Sequence, residues 1–462
     1  MTIEKELPIV GDGTERRHLS ANQAFMCAFD RGNDLGAFGP RSLITAGWRL
    51  KGHLDLATLQ SALDDVAARH EGLRTLIVRD DGEPYARVFP PSAVELTVSD
   101  LSSSVDEDTR ERRAHEFLNE VEGTGRCDLR QMPLLRARLG RFDDGDAVLV
   151  LVTHHTVSDA WSIHLILRDV ATRYASRRGL PVPELPEMRQ YGEHAAWQQQ
   201  ELAEESANVA RKYWQNKLAG GKFVTIPPDR VRRLEVPPVY SVYRFLFDQR
   251  LYTAANALAK STRSSAFMVL YACFNLFLHR RTGVNDIVAP TLTSGRAEPE
   301  FHETVGPFFN FMPVRTDVSD CVTFRDLVNK TRATLLEAIS YELPFREIAA
   351  QAEPELMQPF MDPNGVVSAF EVNHYPATLD EQVIGDVGYT GLRRRLISAK
   401  DTSEIPDGNL WDFDLDPAGD GMVGLVKYNS LDFDEPSIVA MVEEYRELLT
   451  SSLRSPDSAL RR

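Results

Sequence analysis

The sequence predicts a mixed α/β protein of the α+β kind, folded as two lobes, on three observations. The chain has 462 residues, more than one ordinary hydrophobic core accommodates. Helical and strand periodicities alternate in both halves. Between the halves, Leu180-Pro181-Val182-Pro183-Glu184-Leu185-Pro186 is the clearest linker, which gives an N-terminal lobe over 16–180 and a C-terminal lobe over 188–462.

In chain order, residues up to about Arg17 carry no apolar periodicity and read as a loose leader. Leu43 to Leu50 is the first strand. Leu59, Leu63, Val66 and Ala67 follow the helical period; Gly72 is expected to end that helix, with a strand from Leu73. His70 and Glu71 at this corner invite a catalytic reading, but nothing nearby completes an active site, so a buried ion-paired corner joining helix to strand is favoured. Residues 105 to 126 are charge-rich and helical. Leu135, Ala137 and Leu139 alternate with arginines, and after Asp143-Asp144-Gly145-Asp146 the run Ala147 to Val152 has no polar residue. That pattern is a hairpin whose second strand is buried on both faces. Ile163, Ile166, Leu167, Val170 and Tyr174 then fall at helical spacing, stopped by Gly179, Pro181 and Pro183.

In the second half a long polar helix passes through Tyr213, Trp214 and Leu218, and a proline-bearing loop, Pro227 to Pro238, precedes the strand Val242 to Phe247. Phe267, Leu270, Tyr271, Phe274 and Leu278 mark a core helix over 264–281, followed by a buried strand, Ile287 to Leu292. Gly419-Asp420-Gly421-Met422-Val423-Gly424 matches GxGxxG by letters. A strand, Leu425 to Asn429, follows it where a dinucleotide site needs a helix, so it reads as a hairpin turn. A last helix starts at Asp434 and Pro436.

Composition excludes several function classes. Against 52 basic residues stand 68 acidic ones, a net charge of −16, which argues against nucleic-acid binding and against a polybasic membrane surface. Cys27, Cys127, Cys273 and Cys321 lie far apart with no CxxC, as expected of reduced thiols in the cytosol. No secretory leader and no apolar run of membrane-spanning length is present, so a cytoplasmic protein without a targeting signal is expected.

The chemistry concentrates in Thr153-His154-His155-Thr156-Val157-Ser158-Asp159-Ala160-Trp161-Ser162, where strand end, histidine pair, acid and helix start coincide. Imidazole, with a pKa near about 6.5, suits proton transfer near neutrality. Successive residues at a strand end point to opposite sides, so one histidine is a candidate base and the other a support. A metal site is disfavoured, since no third ligand lies at the spacings zinc proteins use. On these residues alone, a hydrogen-bonded core pair with Asp159 as an N-cap competes evenly with the catalytic reading.

Six stretches in order resemble the core motifs of the condensation domains of non-ribosomal peptide synthetases: Ser20-Ala21-Asn22-Gln23, Arg69 to Thr75 (RHExLRT), His154 to Ser162 (HHxxxDxxS), Tyr191 to Trp197, Val305-Gly306-Pro307-Phe308-Phe309-Asn310 ending at Arg315, and Leu343-Pro344-Phe345. The resemblance implies two chloramphenicol-acetyltransferase-like lobes in a V-shaped pseudo-dimer, a free-standing member, and a tunnel with the histidines at its base. It implies an acyl thioester delivered on the phosphopantetheine arm of an acyl or peptidyl carrier protein, and an amine or alcohol acceptor. No metal and no intrinsically bound cofactor is required. By resemblance His155 is the base, His154 supports the loop, and Asp159 is an ion-pair partner of Arg296. Backbone N–H groups after Asp159 could meet the developing oxyanion. Ala160, Trp161, Ser162 and Asn310 are candidate substrate-binding or supporting residues. Ala160 stands where the family usually has glycine, and no seventh motif is recognisable around Asp362 to Asn373. Epimerisation signatures are not found. A non-catalytic module binding a carrier protein or a tailoring enzyme, and a transferase using a coenzyme A thioester, are the alternatives.

Overall fold

The computed structural model describes residues 16–80, 82–101, 106–352, 354–373, 379–393, 396–400, 402–405, 407–415 and 421–460. The chain divides into two compact units, Met1–Gln200 with Arg296–Phe308 and Tyr375–Leu392, and Glu201–Gly295 with Phe309–His374 and Arg393–Arg462. The division therefore falls after Gln200, not in the proline-rich stretch that separates 16–180 from 188–462. Tyr191 shows why: its hydroxyl bonds Ser20 Oγ at 2.7 Å and the Pro307 carbonyl at 3.0 Å, both in the first unit.

The first unit is built on a six-stranded sheet ordered Gln382–Ile384, Val387–Gly391, Leu43–Lys51, Asp146–His154, Leu135–Asp143, Glu95–Asp100. All its pairs are antiparallel except the last. Asp146–His154 is central and buried throughout, as its unbroken apolar run requires. Helices Leu56–Arg69, Glu107–Thr124 and Ala160–Arg177 put Leu63, Val66, Leu118, Ile163 and Ile166 into the same core. Each such side chain contributes about 1.5–3 kcal/mol of burial.

Two expectations change here. The helix ends at Arg69 because His70 is extended (φ −98°, ψ 102°); Gly72 lies in a 3-10 turn, Glu71–Arg74, and the strand begins at Thr75. Glycine is needed at 72 for space, since a Cβ would stand 2.7 Å from the Val305 carbonyl oxygen. Arg16–Arg17, read as leader, forms a strand against Ala86 and Arg87, and Arg17 Nη1 binds Glu71 Oε1 at 2.5 Å. Residues 1–15 lie outside the described part.

The second unit carries a seven-stranded sheet in which Asn310–Asp317, Asp286–Thr293, Val366–Asn373, Asn409–Leu415, Gly421–Asn429 and Tyr240–Asp248 follow one another, with Thr225–Ile226 against Val366–Val367. Phe274, Phe277, Phe370, Trp411, Phe413 and Tyr445 interlock in its core, drawing on helices Ala266–Thr282 and Glu435–Arg454. Gly421 already belongs to a strand, so the GxGxxG stretch runs into β-structure four residues earlier than expected; residues 416–420 lie outside the described part. Among the described residues no helix is long and apolar enough to cross a membrane.

Candidate active site

Strand Asp146–His154 ends at the histidine pair, and Asp159 caps helix Ala160–Arg177 five residues on. His154 is fully buried. Its Nε2 donates to the Gly39 carbonyl at 3.0 Å, which makes Nδ1 an acceptor for Thr156 Oγ1 at 2.8 Å and Thr156 N at 3.2 Å. Burial pushes its pKa down to about 4. A ring with both nitrogens engaged and its charged form desolvated is a support for the turn.

His155 is only half-buried. Its backbone N–H donates to the Ser42 carbonyl at 2.8 Å, and its Nδ1 donates to the Ser158 carbonyl at 3.0 Å. A carbonyl only accepts, so Nδ1 carries the hydrogen and the neutral ring has its lone pair on Nε2.

Asp159 adopts an extended N-cap conformation (φ −129°, ψ −179°) and its Oδ1 accepts the Ser162 N–H at 2.7 Å. Arg296 Nη2 donates to both carboxylate oxygens at 3.1 and 3.2 Å, and Oδ2 also accepts from Phe308 N at 3.1 Å. Arg296 is itself buried, donating through Nη1 to the Phe301 and Thr304 carbonyls and lying 3.8 Å over the Phe308 ring. The third amide of the helix is thus spent on Asp159, not held ready for a reactant. Ser162 Oγ accepts from Arg296 and from Gly306 N and donates to Gly306 O. Trp161 Nε1 donates to the His302 carbonyl at 3.0 Å. Ala160, half-buried, is the first helical residue.

The first unit therefore brings together His154, His155, Asp159, Ala160, Trp161, Ser162 and Arg296. Asn310 falls in the second unit, where its amide donates to Glu342 Oε1 and the Leu343 carbonyl and accepts from Phe345 N, all at 2.9 Å. It braces two loops that the sequence matches separately. Supports invisible in the sequence are the carbonyls of Gly39 and Ser42; Gly306, within a matched stretch, is needed for space, since a Cβ there would stand 1.9 Å from Tyr191 Cδ2. Thr156 had a readable signal, since a hydroxyl two residues after an imidazole folds back on it.

At the 70–71 corner, His70 Nε2 meets Asp169 Oδ2 at 2.9 Å with Arg69 on the same oxygen at 3.0 Å. This is an ion-paired corner. Among the described residues no group of three or more His, Cys, Asp or Glu could hold a metal ion.

A mixed sheet-and-helix unit whose central strand delivers a histidine pair to an aspartate-capped helix defines a protein with the chloramphenicol-acetyltransferase-like fold. The chain belongs to the condensation-domain family: the family model "Condensation domain" matches residues 42–462. A linear gramicidin synthase of Brevibacillus parabrevis is 30% identical over 420 residues, 90% of this chain but 5% of that protein. The chain thus spans a small fraction of that synthase. The SgcC5 protein of Streptomyces globisporus, crystallised with (R)-(-)-1-(2-naphthyl)-1,2-ethanediol and sucrose, is 41% identical with a TM-score of 0.92, covering 96% of this chain and 100% of that one. The X-domain from teicoplanin biosynthesis, solved in complex with OxyB, shares the fold at 22% identity and a TM-score of 0.74 over 99% of this chain and 97% of that one.

Proposed function

We propose that the chain is an acyltransferase that joins a carrier-protein-bound acyl thioester to an alcohol or amine acceptor in natural-product biosynthesis, with His155 as the base. The observation that carries this reading is the Nδ1–H of His155 donated to the Ser158 carbonyl, which leaves the ring's lone pair on Nε2. In the reaction the acceptor's O–H or N–H proton passes to Nε2 as the oxygen or nitrogen attacks the thioester carbonyl carbon. The tetrahedral intermediate collapses, the C–S bond breaks, and the imidazolium returns the proton to the departing thiolate. Asp159 and Arg296, neutralising each other, hold the turn and do not carry protons. The carrier's phosphopantetheine arm supplies the thioester.

Between the two acceptors the alcohol is favoured. SgcC5, at 41% identity over its whole length, is in complex with an aryl vicinal diol, so an ester product is the first to seek. The test is intact-mass analysis of a loaded carrier protein before and after incubation with aryl diols and aryl amines. Ester formation lost in His155→Ala supports the reading. Turnover unchanged in that variant sinks the base assignment, and no product with any acceptor favours a binding module over an enzyme.

A further inference from the structure

We infer that the first unit carries an anion site for a phosphate ester in the groove between helices Leu56–Arg69 and Ala160–Arg177. The two helices run side by side in opposite directions, since Arg69 at the end of one binds Asp169 while Arg177 at the end of the other binds Asp65. Between them lies an open groove of about 560 Å³ lined by Asp65, Ala68, Arg69, Arg173, Ser176 and Arg177. Three guanidinium groups line it; Asp65 pairs with Arg177 and Asp169 with Arg69, which leaves Arg173 as an uncompensated positive charge on a chain whose net charge is −16. A cationic groove on so acidic a protein is a local exception, and a specific one.

The donors are arranged for a ligand with several oxygens. Arg177 holds Asp65 through Nε and Nη2 at 2.6 and 2.7 Å, leaving Nη1 unspent. Asp65 is accordingly ionised, held below the usual carboxylate range by that contact. Arg69 is fixed by Asp169 through Nε and by the Pro186 carbonyl through Nη2, leaving its Nη1. Arg173, between them, makes no hydrogen bond and no ion pair among the described residues, and its Nε is buried without an acceptor. That Nε has no surface open to solvent and so none open to a ligand; the Nη groups, which no protein atom among the described residues holds, are what an oxygen in the groove can reach. Ser176 adds an exposed hydroxyl beside a floor kept low by Ala68. One carboxylate would satisfy one guanidinium fork. The Nη1 groups of Arg69 and Arg177, the Nη groups of Arg173 and a hydroxyl suit the three or more oxygens of a phosphate or diphosphate ester. Coenzyme A and the phosphopantetheine arm both bear that group, and the site reads the phosphate whichever bears it.

The groove stands apart from the acyl-transfer chemistry and is tested by binding. Inorganic pyrophosphate is titrated calorimetrically into the full chain at low salt. Saturable binding is expected, weakening as sodium chloride is added. Arg173→Gln and Ser176→Asp are each expected to weaken it at least about tenfold, whereas Arg130→Gln, an exposed arginine paired with Asp128 elsewhere on the unit, is expected to leave it unchanged. Melting curves confirm that the variants fold; Ser176 is solvent-exposed, so that variant serves if Arg173→Gln does not. Affinity unchanged in a folded groove variant overturns the site, as does no saturable binding by the wild type up to about 10 mM, weaker than any ordinary specific complex. Repeating the titration with coenzyme A and with a phosphopantetheinylated carrier protein assigns the source: the phosphate belongs to whichever ligand loses affinity in Arg173→Gln.

Discussion

Two corners of the first unit use the same residue types and wire them differently. At the first, the ring of His70 bonds a carboxylate directly, and Asp169 is shared with Arg69 at 3.0 Å and Arg168 at 2.8 Å. At the second, the carboxylate goes to an arginine and to backbone amides, while the ring of His155 donates through Nδ1 to a neutral carbonyl. His70 is 1% exposed, while His155 is half-buried. A histidine, an acid and an arginine in proximity therefore do not make a proton-transfer site. A ring oriented by a weak acceptor, with a face towards solvent, has the wiring of one.

The largest expected effect separates the two corners by function. His155→Ala should lower acyl transfer about 10²–10⁴-fold with little change in melting temperature, measured on matched protein. Arg296→Met should cost roughly 3–5 kcal/mol of stability in a denaturant titration, because it strands Asp159 as a buried unpaired charge; a smaller loss would mean Asp159 is satisfied by the Ser162 and Phe308 amides alone.

A pH titration of stability sharpens the contrast within the histidine pair. His154 is neutral when folded and takes a proton below about pH 6.5 when unfolded. The contribution of this ring to stability should fall by about 3 kcal/mol as pH drops from about 6.5 towards 4. His194, pushed down to about 3 by burial, acts in the same direction. The paired carboxylate Asp146, held near about 2, contributes only below this window. Glu371, pushed up to about 7 by burial, and Asp412, also pushed up by burial, act in the opposite direction over the same window, so the ring is read from the difference between the wild type and His154→Gln; a difference that does not change between about pH 6.5 and 4.5 would show that water reaches His154.

His70→Ala should cost roughly 2–3 kcal/mol through the lost contact and cavity while leaving acyl transfer per folded molecule intact; a loss of turnover as large as that of His155→Ala would break the comparison. Thr156→Val, which removes one donor from His154 Nδ1, is the smallest change, at about 1 kcal/mol.

Much of this was legible in the chain itself, for identifiable reasons. The run Ala147 to Val152 announced a doubly buried strand because nothing polar interrupts it, and Asp159 announced a helix start because its side chain caps locally. Periodicity and capping are short-range. What was not legible is long-range or steric. Nothing near His154 names Gly39 as its acceptor, 115 residues away. Gly72 looks like a helix stop and is a space-maker for a carbonyl of Val305. Arg296 is matched to Asp159 through the family resemblance alone, and nothing near it in sequence names the Phe301 and Thr304 carbonyls that hold its other nitrogen. Asn310, legible as a matched position, has an amide whose three bonds serve loops of its own unit.

The strand Val387–Gly391, paired with Trp48 through Lys51, has a consequence for biosynthesis. Leu43–Lys51 is made early, but its outer edge stays unpaired until the ribosome has passed Gly391. At translation speeds of about 5–20 residues per second that exposed edge persists for tens of seconds, a template for association with another nascent chain. A gene fragment cut at the proline-rich stretch would encode such an edge permanently, and its product should precipitate where the longer chain does not.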